Sequence, residues 1–221
     1  MPSGKNIAHG CPETGFGSQQ PVVFWQSVVG VCHYEANALK EVRLYPIDMG
    51  FGRPIDELPL LLQPGVLTTA WGSVVRQIAA GLDVELDGIE EHVERLPAPE
   101  TFEVSSGTIE KGTAAALRFE VRGLRGGRAV VVLEHVTRLR DDLGPDWPQP
   151  AGHGCYRVVV SGEPNYTVDL QLLGTDGDHN TAGLKATAMR LVNAVPAVVA
   201  AKPGLITALD LPLVTGRGLV T

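Results

Sequence analysis

Glu134, His135 and Arg138 lie within five residues of one another in this chain of 221 residues, and their types are suited to moving a proton or holding a charged ligand. A carboxyl group or an imidazole can be tuned toward neutral pH by burial, so Glu134 and His135 are the candidates for proton transfer and substrate hydrogen bonding. They stand in the apolar run Ala129 to Leu139, which reads as a strand. Alternation then places Glu134, Val136 and Arg138 on one face and His135, Thr137 and Leu139 on the other. The two titratable neighbours cannot share a pocket unless the strand bulges. A cross-strand ion pair of Glu134 or Arg138 beside a half-buried histidine is the alternative for the same residues.

Four further positions have ligand-binding chemistry. Arg53, beside Gly50, Gly52 and Pro54, could clamp a carboxylate with its planar fork, or could be a solvated turn arginine. Trp147, between Asp146 and Pro148, could cover a ligand with its indole, or could anchor a proline-rich loop. His179 and Asn180 open a helix after Gly177-Asp178, where exposed amides could receive an anionic group, capping being the alternative. Asp176, Asp178 and His179 are too few and too poorly spaced for a metal site, so no metal is expected. No Ser-His-Asp order, Walker motif or H-E-x-x-H run is present, which leaves hydrolase and NTPase chemistry without support.

The elements that must position these residues follow from periodicity. Pro64 to Leu82 has apolar residues at helical spacing, Val66, Leu67, Trp71, Val74, Val75 and Ile78, with Gly81 suited to its end. Strand-like runs follow at Ile89–Leu96, Thr101–Val104, Ala115–Val121, Ala129–Leu139, Cys155–Val160 and Tyr166–Leu173. Gly126-Gly127 suits a hairpin between the third and fourth of these. Three prolines keep Asp141 to Gly154 out of any ladder. A last helix starts near Thr181 and should kink or break at Pro196. The fold class expected is α+β: a predominantly antiparallel or mixed sheet of about five or six strands packed with two main helices. Before Met49 patterning is weak, with a strand-like run Val22-Val23-Phe24-Trp25 and a short helical stretch around Tyr34 to Lys40. Residues 1–48 are therefore expected to be an extension and residues 49–221 the domain.

Net charge is −7 and the pI near 5.3, with basic residues scattered, so nucleic acid is not an expected partner. Cys11, Cys32 and Cys155 are odd in number and far apart, as expected of reduced thiols in the cytoplasm. The apolar run Ala182 to Ala201 carries Lys185, Arg190, Asn193 and Pro196, which argues against a membrane span.

Gly50-Phe51-Gly52-Arg53-Pro54, Leu61-Leu62-Gln63-Pro64-Gly65-Val66-Leu67, Glu134-His135-Val136-Thr137-Arg138, Asp146-Trp147-Pro148, Gly177-Asp178-His179-Asn180 and Leu209-Asp210-Leu211-Pro212-Leu213 carry a resemblance. From Met49 to Arg217 the chain resembles the C-terminal part of an actinobacterial group related to dihydrodipicolinate reductase and to 2,4-diaminopentanoate and amine dehydrogenases. The resemblance implies an NAD(P)-dependent reductase whose N-terminal Rossmann domain holds the coenzyme and whose C-terminal α+β domain supplies substrate pocket and subunit contacts. Gly15-Phe16-Gly17-Ser18-Gln19-Gln20 has two of the three glycines that a dinucleotide fingerprint needs and follows no strand. The expectation is a substrate-side domain without a complete Rossmann domain, inactive alone, with NAD(P) bound in full-length relatives and by no residues here. A small-molecule ligand and homo-oligomers are the expected partners. The alternative is a non-enzymatic ligand-binding or oligomerising module.

Overall fold

The computed structural model describes residues 22–27, 49–104, 107–150, 154–162, 165–175, 177 and 179–213, with the side chains of 22–27, Tyr166 and 179–181 outside that description. The two-glycine run at Gly15 and the helical stretch at Tyr34 to Lys40 fall outside it.

Ten elements follow in order: β1 (Val22–Ser27), α1 (Val66–Gly81), β2 (Gly88–Pro97), β3 (Phe102–Val104), β4 (Gly107–Ile109), β5 (Ala114–Arg125), β6 (Arg128–Arg138), β7 (Cys155–Val160), β8 (Tyr166–Leu170) and α2 (His179–Ala200). Six strands form one sheet in the order β2-β5-β6-β1-β7-β8. All its pairings are antiparallel except β1 with β6, so the sheet is mixed. β1 lies in its interior, with Val22 opposite Val131 of β6 and Val160 of β7. The fold is α+β, and the described residues contain no Rossmann domain.

The sheet has two chemically distinct faces because charged or titratable residues recur every second residue in β2 and β5, and the register sets Glu134 of β6 on the same face. One face presents Leu117, Phe119, Val121, Val131 and Leu133 to α1, whose Leu67, Val75 and Ala79 complete the core. Helix and sheet approach closely at Gly123, where an added Cβ would lie 2.8 Å from Val75 and from Leu86. The opposite face carries the charges of the candidate site. Between β5 and β6 both Gly126 and Gly127 have positive φ, 58° and 71°, as a tight right-twisted hairpin turn requires.

The N-terminus of α1 is capped from a distance. Gly65 has no side chain to accept its first amides, and Glu91 of β2 takes that role, accepting from Gly65 N at 3.1 Å and Thr68 N at 2.6 Å. Burial opposes the charged form of Glu91, but these bonds outweigh it and hold its carboxyl below the ordinary range.

Several expectations are corrected. Phe102–Val104 does not join the main sheet; it pairs with Gly107–Ile109, an unforeseen strand, in a separate ribbon. The eighth strand ends at Leu170 rather than Leu173. Helix α2 begins at His179 and continues through Pro196 to Ala200 without a break, since proline removes a single intrahelical bond and leaves the rest of the ladder. Among the described residues no helix is long and apolar enough to cross a membrane.

Candidate functional site

The charged face is built by register. Glu94 of β2 lies opposite Arg118 of β5, and Glu120 of β5 lies opposite Glu134 of β6. Arg118 thereby reaches three carboxylates: its Nε donates to Glu134 at 2.5 Å, Nη1 to Glu94 at 2.6 Å and Nη2 to Glu120 at 2.6 Å. Arg122 donates to the second oxygen of Glu120 at 2.5 Å. At the rim His92 approaches Glu94 at 3.3 Å. Farther along the same face, beyond β1, Arg157 holds Asp169 through two bonds of 2.5 and 2.9 Å.

Three carboxylates around two guanidiniums leave this cluster one negative charge in excess when all are ionised. Glu134 is its buried end, and burial raises its carboxyl above the ordinary range; Arg118 opposes the shift, and Glu120 and Glu94 add to it. Glu94 is the open end, with 35% of its side chain exposed. Burial works against its charge as well, but Arg118, Trp147 and His92 outweigh it and its carboxyl sits below the usual range. The face thus joins a buried carboxyl raised above the ordinary range to an accessible one held below it.

Trp147 covers the rim of this cluster. Its indole Nε1 donates to Glu94 at 3.1 Å, and its backbone amide closes a turn onto Gly144 at 3.0 Å. Arg138, at the end of β6, is 1% exposed. Its Nε donates to Leu143 O at 2.7 Å and its Nη2 to Pro148 O at 2.9 Å and Gly144 O at 3.2 Å. Its guanidinium carbon lies 5.8 Å from the centre of the Trp147 ring.

His135 faces the other way. It stacks on Phe119, ring centres 4.8 Å apart and planes 16° from parallel, and shares a 2.7 Å hydrogen bond with Thr137 Oγ1. Burial pushes its imidazole down to about 4, so it is neutral. Glu134 and His135 occupy opposite faces, since the bulge in the β5–β6 pairing falls at Gly123/Leu124, away from them. Arg53 pairs with Glu57 at 2.5 Å in the loop before α1, half-exposed. His179 and Asn180 are the first residues of α2, and their side chains lie outside the described set. Glu134 and Trp147 are therefore brought together, through Arg118 and Glu94. His135 and Arg53 do not join them.

The residues that reasoning from sequence missed are Glu94, Arg118, Glu120 and Arg122. Their signal was present: Glu90, His92 and Glu94, and again Arg118, Glu120 and Arg122, recur with the period of two that lines a single sheet face. Among the described residues no cluster of three or more His, Cys, Asp or Glu could hold a metal ion.

Comparison with known proteins agrees with this architecture. A solved amine dehydrogenase from Mycobacterium smegmatis superposes with a TM-score of 0.60 at 18% identity, over 89% of this chain and 52% of that one, which is a likeness of fold. An amine dehydrogenase from Streptomyces virginiae is 41% identical over 169 residues, 75% of this chain and 47% of its own length. The chain thus spans about half the length of these relatives. Residues 69–218 match the 2,4-diaminopentanoate dehydrogenase C-terminal domain, and the chain belongs to that family.

Proposed function

We propose that this chain is the substrate-side part of an NAD(P)-dependent amine dehydrogenase-like oxidoreductase, receiving the ammonium group of a small amine at the Glu94–Glu134 carboxylate cluster. The observation that carries the reading is the excess of carboxylate over guanidinium on one sheet face, with an ionised, accessible Glu94 beneath the Trp147 indole. A cation placed there gains from a negative, partly desolvated site, and the aromatic neighbour adds cation–π attraction. Amine oxidation also needs a proton acceptor, since an ammonium must lose a proton before its carbon can release hydride. Glu134 has the raised carboxyl for that role. His135 does not share the pocket.

A nicotinamide coenzyme would supply the hydride acceptor. The N-terminus of α1 does not offer a phosphate site, since Glu91 already accepts from its Gly65 and Thr68 amides. In this reading the chain binds amine and is inactive alone. His179 and Asn180, at the entrance to α2, are proposed as contacts for an anionic group of a substrate.

Calorimetric titration of the purified chain with pentylamine tests the reading. Saturable binding that weakens at least tenfold in Glu94→Gln is expected. No binding to the unaltered chain would sink the amine assignment, and saturable binding of NADH or NADPH would sink the statement about the coenzyme.

Self-association is a second reading, favoured by the apolar surface of α2 and β8, where Leu191 is 71%, Val199 79% and Leu170 51% exposed. Sedimentation at several concentrations should show dimers or larger species; a monomer throughout would remove it.

A further inference from the structure

Arg138 is a cation buried at a place where a neutral donor would be easier to desolvate. Burial holds its guanidinium below its ordinary range, against the opposing pull of Asp141 and Glu134. What the planar group provides is geometry. A guanidinium is a rigid fork of five donors, and here two of its nitrogens gather the carbonyls of Leu143, Gly144 and Pro148, residues five to ten positions downstream. These carbonyls bracket Trp147. The prolines Pro145, Pro148 and Pro150 lack amides that could tie the loop to the sheet, so the side chain of Arg138 supplies that tie.

The contacts form a continuous path. From Arg138 the loop carbonyls lead to Trp147; the indole leads to Glu94; Glu94 leads to Arg118 and Arg118 to Glu134. The indole is also fitted closely to Gly144. Gly144 has φ +58°, and an added Cβ there would stand 2.8 Å from the Trp147 ring. Trp147 thus lies against the backbone of Gly144 and near the guanidinium of Arg138, with its single donor aimed at Glu94.

We propose that Arg138 is a positioning residue: it folds the loop at 143–148 over the end of the sheet and so holds the Trp147 indole on Glu94. The proposal rests on the reading of this carboxylate cluster as an amine site, and it names the side chain that arranges the site without touching the amine. The Nη1 group of Arg138 is buried with no hydrogen-bond partner among the described residues. The fork's other donors are fully engaged with the loop.

The test is nuclear magnetic resonance on the full chain, following the three indole N–H signals, with Trp147 identified by its loss in Trp147→Phe. In the unaltered chain the Trp147 indole N–H should exchange slowly, and its shift should follow the titration of Glu94; Glu94→Gln should abolish that pH dependence. In Arg138→Met the exchange should quicken at least tenfold and the pH dependence should vanish, while the Trp71 signal in the core stays in place. Arg138→Lys keeps the charge and loses the fork, and the same loss is expected. Folded variants whose Trp147 N–H remains protected and still reports Glu94 would overturn the proposal. If both variants fail to fold, Trp147→Phe decides: the Arg138 Nε–H should stay protected in it, and loss of that protection would mean that the tryptophan holds the arginine. None of these signals depends on turnover or amine binding, so a failed pentylamine titration would sink the function while leaving this test standing.

Discussion

Acidification should destabilise the chain through His135 more than through any exposed histidine. Its imidazole is buried against Phe119 and pushed from an ordinary 6.5 down to about 4. Between those values the unfolded chain binds a proton that the folded chain refuses, so stability rises with pH across the window. The contribution is fully present above 6.5, shrinks as pH falls and is exhausted near 4. The span corresponds to about 3 kcal/mol at roughly 1.4 kcal/mol per pH unit, of which about 2 should be lost between pH 7 and pH 5. Other groups titrate in the same range: Glu91 and Glu94, held below their ordinary values, lose stability on acidification too, whereas Glu134, raised, has the opposite sign. A difference measurement removes them. His135→Phe/Thr137→Val replaces a hydrogen-bonded pair with apolar groups of similar shape, which avoids leaving a buried partner unsatisfied. Urea unfolding of both proteins from pH 4 to 8 gives the difference in stability at each pH. That difference should move by about 3 kcal/mol in favour of the variant as pH falls. A difference that stays flat would mean that His135 is protonated in the folded chain or is not buried as described.

The remaining predictions concern the sheet and its helix. Glu91→Ala should cost about 1 kcal/mol in urea unfolding, as expected for loss of an N-cap, with Glu91→Gln costing less; equal stability would show that water replaces the carboxylate. Gly123→Ala should lower stability by about 1–3 kcal/mol, because the new methyl meets Val75 and Leu86 at 2.8 Å, and an unchanged melting temperature would refute that packing. Arg118→Met leaves Glu134 buried without its cation and should cost about 3 kcal/mol. The loss should be larger at pH 8 than at pH 5, since a carboxyl raised in the folded state favours the protonated form and loses stability as pH rises through its folded value.

Which parts of this arrangement were legible in the sequence follows from the range of the interactions. Periodicity is local, so the apolar stripe of α1 and the Gly126-Gly127 hairpin could be read directly, as could the opposed faces of Glu134 and His135. Strand neighbours are not local. Val22–Ser27 takes an interior place between β6 and β7, set by backbone pairing with segments more than 100 residues away. The carboxylate cluster hid for the same reason. β2 and β5 show a charged or titratable side chain at every second position, which is also how a solvated face reads, and in β6 Glu134 stands between Val132 and Val136 on its face. Only the register, which sets Glu94 opposite Arg118 and Glu120 opposite Glu134, makes the three carboxylates converge. Pro196 does not end the helix, because a proline removes one intrahelical bond and leaves the others in place.

The division of the sheet into two faces also explains why two adjacent titratable residues have opposite fates. One peptide step along β6 carries the chain from a face where charge is compensated to a face where it is excluded. Glu134, turned toward Arg118, can remain ionised at the cost of a raised carboxyl; His135, turned toward Phe119, avoids charge altogether. A single-residue slip of β6 against β5 would exchange them, placing a carboxyl in the apolar core and an imidazole beside Arg118 and the two remaining glutamates, Glu94 and Glu120. Both exchanges are unfavourable, so the pair opposes a slip in the register of this strand. The combination Glu134→Leu/His135→Leu should therefore remove more than a site: with both faces of β6 apolar at that point, the penalty against the slipped pairing falls. Hydrogen exchange of the β5–β6 amides reads this directly, and protection in that variant matching the unaltered chain, strand for strand, would show that the register is held by the hairpin turn alone.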